Sequence, residues 1–325
     1  MKAIRLSVPC AALAALACVS FAGDADAQDI KYPVDTVTVV THSSPGGGTD
    51  VYFREMIKHL GPILGVDMVV ENVVGGGGAK AMAKLGTSPA DGSIVYGTTP
   101  SYINTSLLSK LQYSYKDLDP LVNVFNDPQV LYVRYESPYK TLKGMIEAEK
   151  KNPGTIKLGA TSPASLERQT MEQLKRKTGI KPVVVTHDGG GDLMVSTLNG
   201  TVDLAVGELQ ELRGQIEANK LRVLASLTEE RIEQLADVPT AREQGIDLVV
   251  IKFRGVAAPK GQPENVVKAW EAAIPKVYEV PAFKKWYEAS GLIPTFMPQE
   301  KYMKFMDQFV KEQQDYFIEF NIIKK

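Results

Sequence analysis

From residue 33 onward, the chain alternates short β-branched runs with longer amphipathic stretches. The run TDVYFREMIKHLGPIL places Phe53, Met56, Ile57, Leu60 and Leu64 on one face at helical spacing, which indicates a helix packed against a core. Strand–helix alternation is typical of parallel sheets covered by helices, so the pattern predicts an α/β fold. The predicted strands are DTVTVVT, DMVVENV, SIVYGTT, QVLYVRY, TIKLGAT, PVVVTH, TVDLAVG, LRVLASL and LVVIKFRGVAA.

The last part of the chain, from Pro263 to Lys325, follows a different pattern. Three stretches have helical periodicity and carry proline near the first turn: PENVVKAWEAAIPKVYE, PAFKKWYEASG and PQEKYMKFMDQFVKEQQDYFIEF. The length of 325 residues indicates about two domains, yet no low-complexity linker separates them. Two lobes joined by several crossing strands fit this pattern, with QVLYVRY and LVVIKFRGV as the crossing candidates.

The N-terminus has the three parts of an export signal. MKAIR is a short basic region, LSVPCAALAALACVSFA is apolar, and ADA is a small-residue cleavage pattern. We expect residues 1–27 to be a signal peptide that is cleaved near Ala27, with a second possible site at Ala22. No second apolar run follows that could span a membrane.

Cysteine usage and charge narrow the chemistry further. Both cysteines, Cys10 and Cys18, lie inside the signal, so we expect a mature chain with neither a disulfide nor a thiol nucleophile. Lipidation of Cys18 is an alternative that is disfavoured because Leu16 stands two residues before it rather than three. The formal net charge is −1 and no basic tract occurs, so nucleic acid is not an expected partner.

Five loops rich in Gly, Ser and Thr follow predicted strands and precede predicted helices. In open α/β sheets, ligands bind beyond the carboxyl ends of strands, where helix N-termini present unpaired N–H groups and a partial positive charge. A Gly-rich turn can also be only a tight connection, but five in one chain favour an anion site. The loops are SSPGGGTD (43–50), VVGGGGAKAM (73–82), GTTPSY (97–102), GATSPAS (159–165) and THDGGGDL (186–193).

Known nucleotide and catalytic motifs do not fit these loops. GGGGAKA lacks the adjacent Gly-Lys and the hydroxyl of a P-loop, and a dinucleotide fingerprint would need glycine at Lys80. His42 and His187 each end a strand, but no Gly-x-Ser-x-Gly elbow accompanies them, and THD alone is a weak zinc pattern. We expect no cofactor, no metal and no catalysis, with a hydrolase using His42 or His187 as the alternative.

These segments, in this order, resemble the extracytoplasmic solute-binding proteins of tripartite tricarboxylate transporters, the Bug family. The resemblance covers essentially the whole mature chain. It is carried by PGGGTD before an Arg-bearing helix, VVENVVGGGGAKAMAKLGTSPADGSIVYGTT, KTLKGMIEAEKKNPGTIKLGA, LNGTVDLAVGEL, NKLRVLASLTEERIEQLADVPTAREQGID and GVAAPKGQPENVVKAW.

The resemblance implies a type II periplasmic-binding-protein fold, in which two α/β lobes close on a ligand and a helical C-terminal segment packs on the first lobe. Residues 28–128 and 253–325 would form lobe 1, and residues 129–252 would form lobe 2. It also implies a monomer in the periplasm, a small dicarboxylate or aromatic carboxylate as ligand, and the membrane permease subunits of a tripartite tricarboxylate-type transporter as partners. A sensor of the same fold that signals to a membrane receptor is an open alternative.

The implied site has one half in each lobe. The first two Gly loops would hold one carboxylate, partly through ordered water, through hydrogen bonds and dipoles rather than Arg or Lys. Asp50 is expected to order its loop or a bridging water rather than to contact the anion. The ligand-binding residues predicted in lobe 1 are Ser43, Ser44, Gly47, Gly48, Asp50, Gly77, Gly78, Ala79, Thr99 and Ser101; those in lobe 2 are Thr161, Ser162, Ser165, Asp188, Gly189, Gly190 and Glu208.

The sequence departs from the family pattern at the far end of the ligand. His187 and Asp188 stand where the family commonly has an aromatic–Lys pair, and Arg168 stands where His is frequent. Asp188 would repel a second carboxylate unless it is paired or protonated. The far end is therefore expected to be neutral, hydroxylated, aromatic or cationic, unless Asp188 points outward and has no effect.

Overall fold

The structure, a computed structural model, describes residues 31–324. The predicted signal peptide, its cleavage near Ala27 or Ala22, and Cys18 lie outside the described residues. Among the helices of residues 31–324, none is long and apolar enough to cross a membrane.

The chain order of the elements alternates strands and helices as predicted. The strands are β1 (Thr36–Thr41), β2 (Asp67–Asn72), β3 (Ile94–Thr98), β4 (Leu118–Arg134), β5 (Lys157–Ala160), β6 (Val183–Thr186), β7 (Leu204–Glu208), β8 (Leu221–Ser226), β9 (Ile251–Pro259) and β10 (Ile293–Met297). The α-helices are α1 (Gly48–Leu64), α2 (Ala79–Gly86), α3 (Pro100–Leu108), α4 (Leu142–Lys151), α5 (Leu166–Thr178), α6 (Gly190–Leu198), α7 (Leu209–Glu217), α8 (Glu264–Tyr278), α9 (Pro281–Ala289) and α10 (Gln299–Glu319).

The strands form one continuous arrangement in the order β2-β1-β3-β9-β4-β7-β5-β6, and β8 and β10 also pair with β4. β1 is parallel to β2 and β3, and β5 is parallel to β6 and β7, as strand–helix alternation predicts. β4 is long enough to serve both halves: residues 118–128 pair with β9, and residues 129–134 pair with β7 and β8. The two predicted crossing runs thus fall on β4 and β9.

The hydrophobic clusters divide the molecule into two halves. Two clusters take their buried members from residues 32–125 and 253–306. The other two take theirs from residues 130–250. We call these halves lobe 1 and lobe 2. We propose that the chain passes between the lobes at residues 128–129 and 252–253, as predicted from the sequence.

Local sequence explains how α1 is placed on lobe 1. Phe53, Met56 and Leu60 are fully buried, which agrees with the predicted apolar face. The helix ends at Gly65, whose φ of 69° lies in the left-handed region that glycine adopts without a Cβ penalty. Because α1 is held along its length, its N-terminal Gly loop has a fixed position beyond β1.

The C-terminal helices pack on lobe 1, as predicted. Tyr302 and Met306 of α10 are buried in a lobe 1 cluster. The end of the chain also reaches lobe 2, because the Arg176 guanidinium of α5 lies 3.8 Å from the Phe320 ring centroid. This contact was not expected from the sequence, and it joins the two lobes at a distance from the crossing strands.

Candidate functional site

The first turns of five helices converge on one cavity between the lobes. α1 and α3 approach from lobe 1, and α5, α6 and α7 approach from lobe 2. First-turn N–H groups have no partner within their helix and carry the positive end of the dipole, so those without a side-chain cap are donors for an anion. Side chains cap one or more of these groups in α3, α5 and α7. It is lined by His42, Ser43, Gly48, Thr49, Gly77, Thr99, Ser101, Thr161, Ser162, Glu167, Asp188, Gly189, Gly190, Val206, Gly207, Glu208, Glu211 and Lys252.

The lobes are closed around this cavity. Its volume is about 40 Å³, which is well below the roughly 300–1,000 Å³ of typical ligand sites. A Cβ on Gly189 would lie 2.4 Å from Ser44 Oγ, and a Cβ on Gly191 would lie 2.3 Å from the Pro45 carbonyl oxygen. Gly189 has extended backbone, with φ −166°, so the close approach of the lobes, and not the conformation, requires glycine there.

Most of the residues predicted from the sequence line the cavity. Asp188 does so with an exposed side chain, which places it at the rim in contact with solvent. The predicted residues in the lining are Ser43, Gly48, Gly77, Thr99, Ser101, Thr161, Ser162, Asp188, Gly189, Gly190 and Glu208.

Six predicted residues stand outside the lining: Ser44, Gly47, Asp50, Gly78, Ala79 and Ser165. The Asp50 carboxylate accepts the Gly46 N–H at 2.9 Å, Arg54 Nε at 2.8 Å and Asn72 Nδ2 at 2.9 Å. It therefore orders the first Gly loop, which is one of the two roles expected for it.

The other five shape the loops and helix ends behind the lining. The Ser165 hydroxyl caps α5 by accepting the Arg168 N–H at 3.0 Å. Gly47 and Gly78 are the N-cap residues of α1 and α2, and Ala79 begins α2. Ser44 lies against Gly189 where the lobes meet. A motif in the sequence does not distinguish a residue that contacts a ligand from one that holds the loop in shape.

A buried ionic cluster forms part of the cavity wall and extends behind it, and of its members the sequence motifs pointed only to Glu208. Lys252 Nζ lies 2.5 Å from Glu167 Oε1 and 2.5 Å from Glu208 Oε1. The Gln129 amide donates to the same two carboxylates at 3.2 and 3.1 Å. The cluster consists of Asp127, Glu167, Glu208, Glu211, Lys252 and Arg254, and each of these is less than 9% exposed.

Arg254 connects the cluster to lobe 1. Its Nε donates to Asp127 Oδ2 at 2.8 Å, and its Nη1 donates to Thr49 Oγ1 of α1 at 2.5 Å. Its Nη2 lies 3.2 Å from Glu208 Oε2 of lobe 2. The cluster thus spans the crossing strands and joins the two lobes beside the cavity.

One signal in the sequence could have located this cluster. Lys252 and Arg254 alternate with apolar residues in IKFRGVAA, so both side chains lie on one face of a strand. Charged side chains are almost never fully buried unless they are paired, so two in an apolar strand indicate buried carboxylate partners. Which carboxylates these are depends on the tertiary fold.

Electrostatics set the protonation states around Lys252. Although burial opposes ionisation, the Lys252 ammonium lowers the pKa of Glu167 to about 2. Burial lowers the pKa of Lys252, but Glu167 and Glu208 outweigh it, so its pKa rises above the usual value. Lys252 is therefore charged and already paired, which leaves the predicted ligand contacts to N–H and hydroxyl groups.

The histidines make local hydrogen bonds. His42 Nδ1 lies 2.6 Å from the Tyr96 hydroxyl and Nε2 lies 3.5 Å from Thr99 Oγ1. Burial, aided by Lys252, lowers the pKa of His42 to about 4, so the ring is neutral at physiological pH. His187 Nδ1 lies 3.3 Å from the Ala160 carbonyl oxygen. Among the described residues, no group of three or more His, Cys, Asp or Glu side chains is arranged to hold a metal.

Comparison with known sequences identifies the family. The family model described as tripartite tricarboxylate transporter family receptor matches residues 52–322. A Cupriavidus necator protein described as a UPF0065 protein in the gbd 5′ region is 28% identical over 290 residues, which cover 89% of this chain and 88% of its own. The BugT protein of Bordetella pertussis is 26% identical over 268 residues, which cover 81% of this chain and 82% of its own.

Solved structures confirm the predicted fold. A structure described as a periplasmic transporter is 30% identical and superposes with a TM-score of 0.85 over 90% of this chain and 99% of its own. An R. palustris protein with adipate is 22% identical and superposes with a TM-score of 0.83 over 88% of this chain and 97% of its own. MatC from Rhodopseudomonas palustris with bound malate is 23% identical and superposes with a TM-score of 0.80 over 90% of this chain and 100% of its own. The chain belongs to the tripartite tricarboxylate transporter family of receptors, the Bug-type solute-binding proteins.

Proposed function

We propose that this protein captures a small organic carboxylate in the periplasm by closing its lobes, and delivers it to a tripartite tricarboxylate-type membrane permease. The observation that carries this proposal is the convergence of five helix N-termini from both lobes on one cavity. Helix N-termini bind carboxylates through unpaired N–H groups and dipoles without a dedicated Arg or Lys.

The donors around the cavity suit a carboxylate. The hydroxyls of Ser43, Thr99 and Ser101 border it from lobe 1, and those of Thr161 and Ser162 border it from lobe 2. The adipate and malate bound by the two R. palustris proteins are dicarboxylates, which supports the same ligand class for this chain.

Closure would be a population shift toward the state in which both lobes contact the ligand. β4 and β9, which cross between the lobes, are the hinge elements, and the closed form is the one that the permease would recognise. We propose that the protein acts as a monomer and releases its ligand unchanged.

The test is a thermal-shift and calorimetric screen against mono-, di- and aromatic carboxylates. A ligand at about 1,000 times its Kd adds about 4 kcal/mol to the free energy of unfolding. Replacing Gly47 by Val should abolish binding, because its Cβ would lie 2.2 Å from Ser43 Oγ and 3.2 Å from the Gly191 N–H. Gly214→Val is the matched control, since a Cβ at Gly214 has nothing within 4 Å.

Four results would contradict the proposal. If no carboxylate stabilises the protein, the proposed ligand class is wrong. If Gly47→Val binds the ligand with unchanged affinity, the proposed location of the site is wrong. Conversion of a bound ligand during long incubation would favour a hydrolase instead. Co-purification with a receptor kinase, and not with a permease, would favour the sensor.

A further inference from the structure

A second and larger cavity lies beside the crossing strands. We call it the hinge groove, and its volume is about 1400 Å³. Residues 227–234 of lobe 2 form one wall, and α9 with the start of β10 forms the opposite wall from lobe 1. Residues 126–128 of β4 and Lys252 of β9 also line it. Lys252 is the residue that the linings of the groove and of the candidate site share, so the crossing strands separate the two spaces.

The two walls of the hinge groove touch at one point. Gln234 Nε2 of lobe 2 donates to the Glu288 carbonyl oxygen of lobe 1 at 2.5 Å. A Cβ on the nearby Gly291 would lie 3.4 Å from Gln234 Oε1 and 3.3 Å from Leu209 Cδ2 of lobe 2. The lobes are thus already in contact at this point, while the groove keeps them apart elsewhere.

The two walls carry opposite net charges. The lobe 2 wall has three carboxylates and one guanidinium, a formal charge of −2, and the lobe 1 wall has two ammonium groups and one carboxylate, a formal charge of +1. On the lobe 2 wall, Glu229 pairs with Arg242, and Arg231 pairs with Glu243 at 2.9 Å. Those two charges are therefore neutralised within lobe 2.

The other charges of the walls have no ionic partner in the closed form. They are Glu230 and Glu233 of lobe 2, and Lys284, Lys285 and Glu288 of lobe 1. All five side chains are exposed, and within residues 31–324 none of them takes part in a salt bridge. The structure therefore holds two carboxylates and two lysines on facing walls without joining them.

A hinge movement changes the groove and the ligand cavity in opposite directions. Because the crossing strands lie between them, a rotation that separates the lobes at the cavity brings the walls of the groove together. Narrowing shortens the distance between the carboxylates of lobe 2 and the lysines of lobe 1, which strengthens their attraction. It also covers Ile293, which lines the groove and is 51% exposed in the closed form.

We propose that the hinge groove is an electrostatic latch for the open form, in which Glu230 and Glu233 pair with Lys284 and Lys285. This inference rests on the lobe movement of the function proposed above, and it gives the ligand-free protein contacts of its own. Since apparent affinity falls with the population of the binding-competent state, the latch weakens ligand binding and favours release. Two exposed ion pairs of this kind change the apparent affinity by about 2- to 10-fold.

The first test uses the unmodified protein without ligand. A carbodiimide joins a lysine amino group to a carboxylate that is in direct contact with it. Mass spectrometry should then find peptides joined between Lys284 or Lys285 and Glu230 or Glu233. The pair of Lys268 and Glu264, which lies 2.6 Å apart within α8, is the internal control for the reaction.

Charge reversal tests the latch directly. Combined Lys284→Glu and Lys285→Glu should shift the ligand-free protein toward the closed form, which small-angle scattering detects as a smaller radius of gyration. Adding Glu230→Lys and Glu233→Lys exchanges the signs of the two walls and should restore the larger radius. All four side chains are exposed, so circular dichroism should show that both variants remain folded. Raising sodium chloride from about 20 mM to about 500 mM should shrink the unmodified protein in the same direction, because salt screens exposed charges.

Combined Lys110→Glu and Lys301→Glu is the matched control. Both lysines are exposed, belong to lobe 1 and lie outside the groove, so this variant changes the charge of the lobe equally. Its radius of gyration without ligand should equal that of the unmodified protein.

Four outcomes separate the latch from its alternatives. If no cross-link joins the walls, the inference is wrong. It is also wrong if the lysine reversal leaves the radius unchanged or if the fourfold variant does not restore it. An equal decrease in the control variant would show an effect of net charge alone and would overturn it as well. If succinate, malate and adipate all fail to stabilise the protein while the cross-link and the restoration are observed, the proposed function is wrong and the latch stands.

Discussion

Replacing Lys252 by Met should destabilise the protein strongly at neutral pH. The substitution keeps the length of the side chain but removes the charge that lies 2.5 Å from Glu167 and from Glu208. Both carboxylates are buried, and Gln129 is then the remaining shared donor. The loss should therefore exceed that of any surface ion pair in this chain.

The magnitude can be worked from Glu167. Its pKa falls from an ordinary 4.5 to about 2 in the folded protein. At about 1.4 kcal/mol per pKa unit, this shift contributes about 3 kcal/mol of stability. Because the folded pKa is depressed, the contribution is complete above pH 4.5 and is lost as the pH falls toward 2. This value agrees with the about 3–5 kcal/mol that the removal of one partner from a buried ion pair costs in other proteins.

The assay is urea unfolding of both proteins at pH 5 and pH 7.5, followed by circular dichroism. Without Lys252, burial favours the neutral carboxyl of Glu167, so the deficit should be largest at pH 7.5 and should shrink at pH 5. Adding Glu167→Gln to Lys252→Met should recover part of the lost unfolding free energy, because it removes one of the unpaired buried carboxylates. Lys268→Met is the control, because Lys268 pairs with Glu264 at the surface, and no measurable change is expected. A deficit below about 1 kcal/mol at pH 7.5, or one that is equal at both pH values, would refute this reasoning.

Three further predictions concern closure and pH. Gly189→Ala should weaken ligand binding with little effect on the free energy of unfolding, since its Cβ meets Ser44 across the lobes; equal calorimetric affinity would contradict this. Arg176→Ala should favour the open form by removing the contact with Phe320, which small-angle scattering would detect as a larger radius of gyration without ligand. His42→Gln should reduce the loss of stability in acid: the folded pKa of about 4 lies below the ordinary 6.5, so protonation on going from pH 6.5 to 4 costs up to about 3 kcal/mol. The measurement is urea unfolding at pH 7.5 and pH 4.5. If His42→Gln loses as much unfolding free energy between these pH values as the unmodified protein does, the prediction for His42 is wrong.

The sequence by itself determined the elements and the positions of the Gly-rich loops that precede the helices of the site. The apolar face of α1 appears at helical spacing because only that spacing brings Phe53, Met56 and Leu60 to one side. The Gly-rich loops reveal helix N-termini, since unpaired N–H groups are a property of every helix start and need no tertiary contact. Family membership follows from the same loops, because they recur in a fixed order along the chain.

Only the tertiary structure decided which residues face the cavity and how charge is arranged in and around its wall. Arg254 and Asp127 lie 127 positions apart, and no local pattern pairs them. Asp50 and Glu208 both follow from loop motifs, yet one orders its own loop and the other lines the cavity in contact with Lys252. The opposite charges of the hinge groove face each other only because α9 and residues 227–234 come from different lobes. Periodicity and capping act over a few residues, whereas burial and charge pairing depend on chain segments that folding alone brings together.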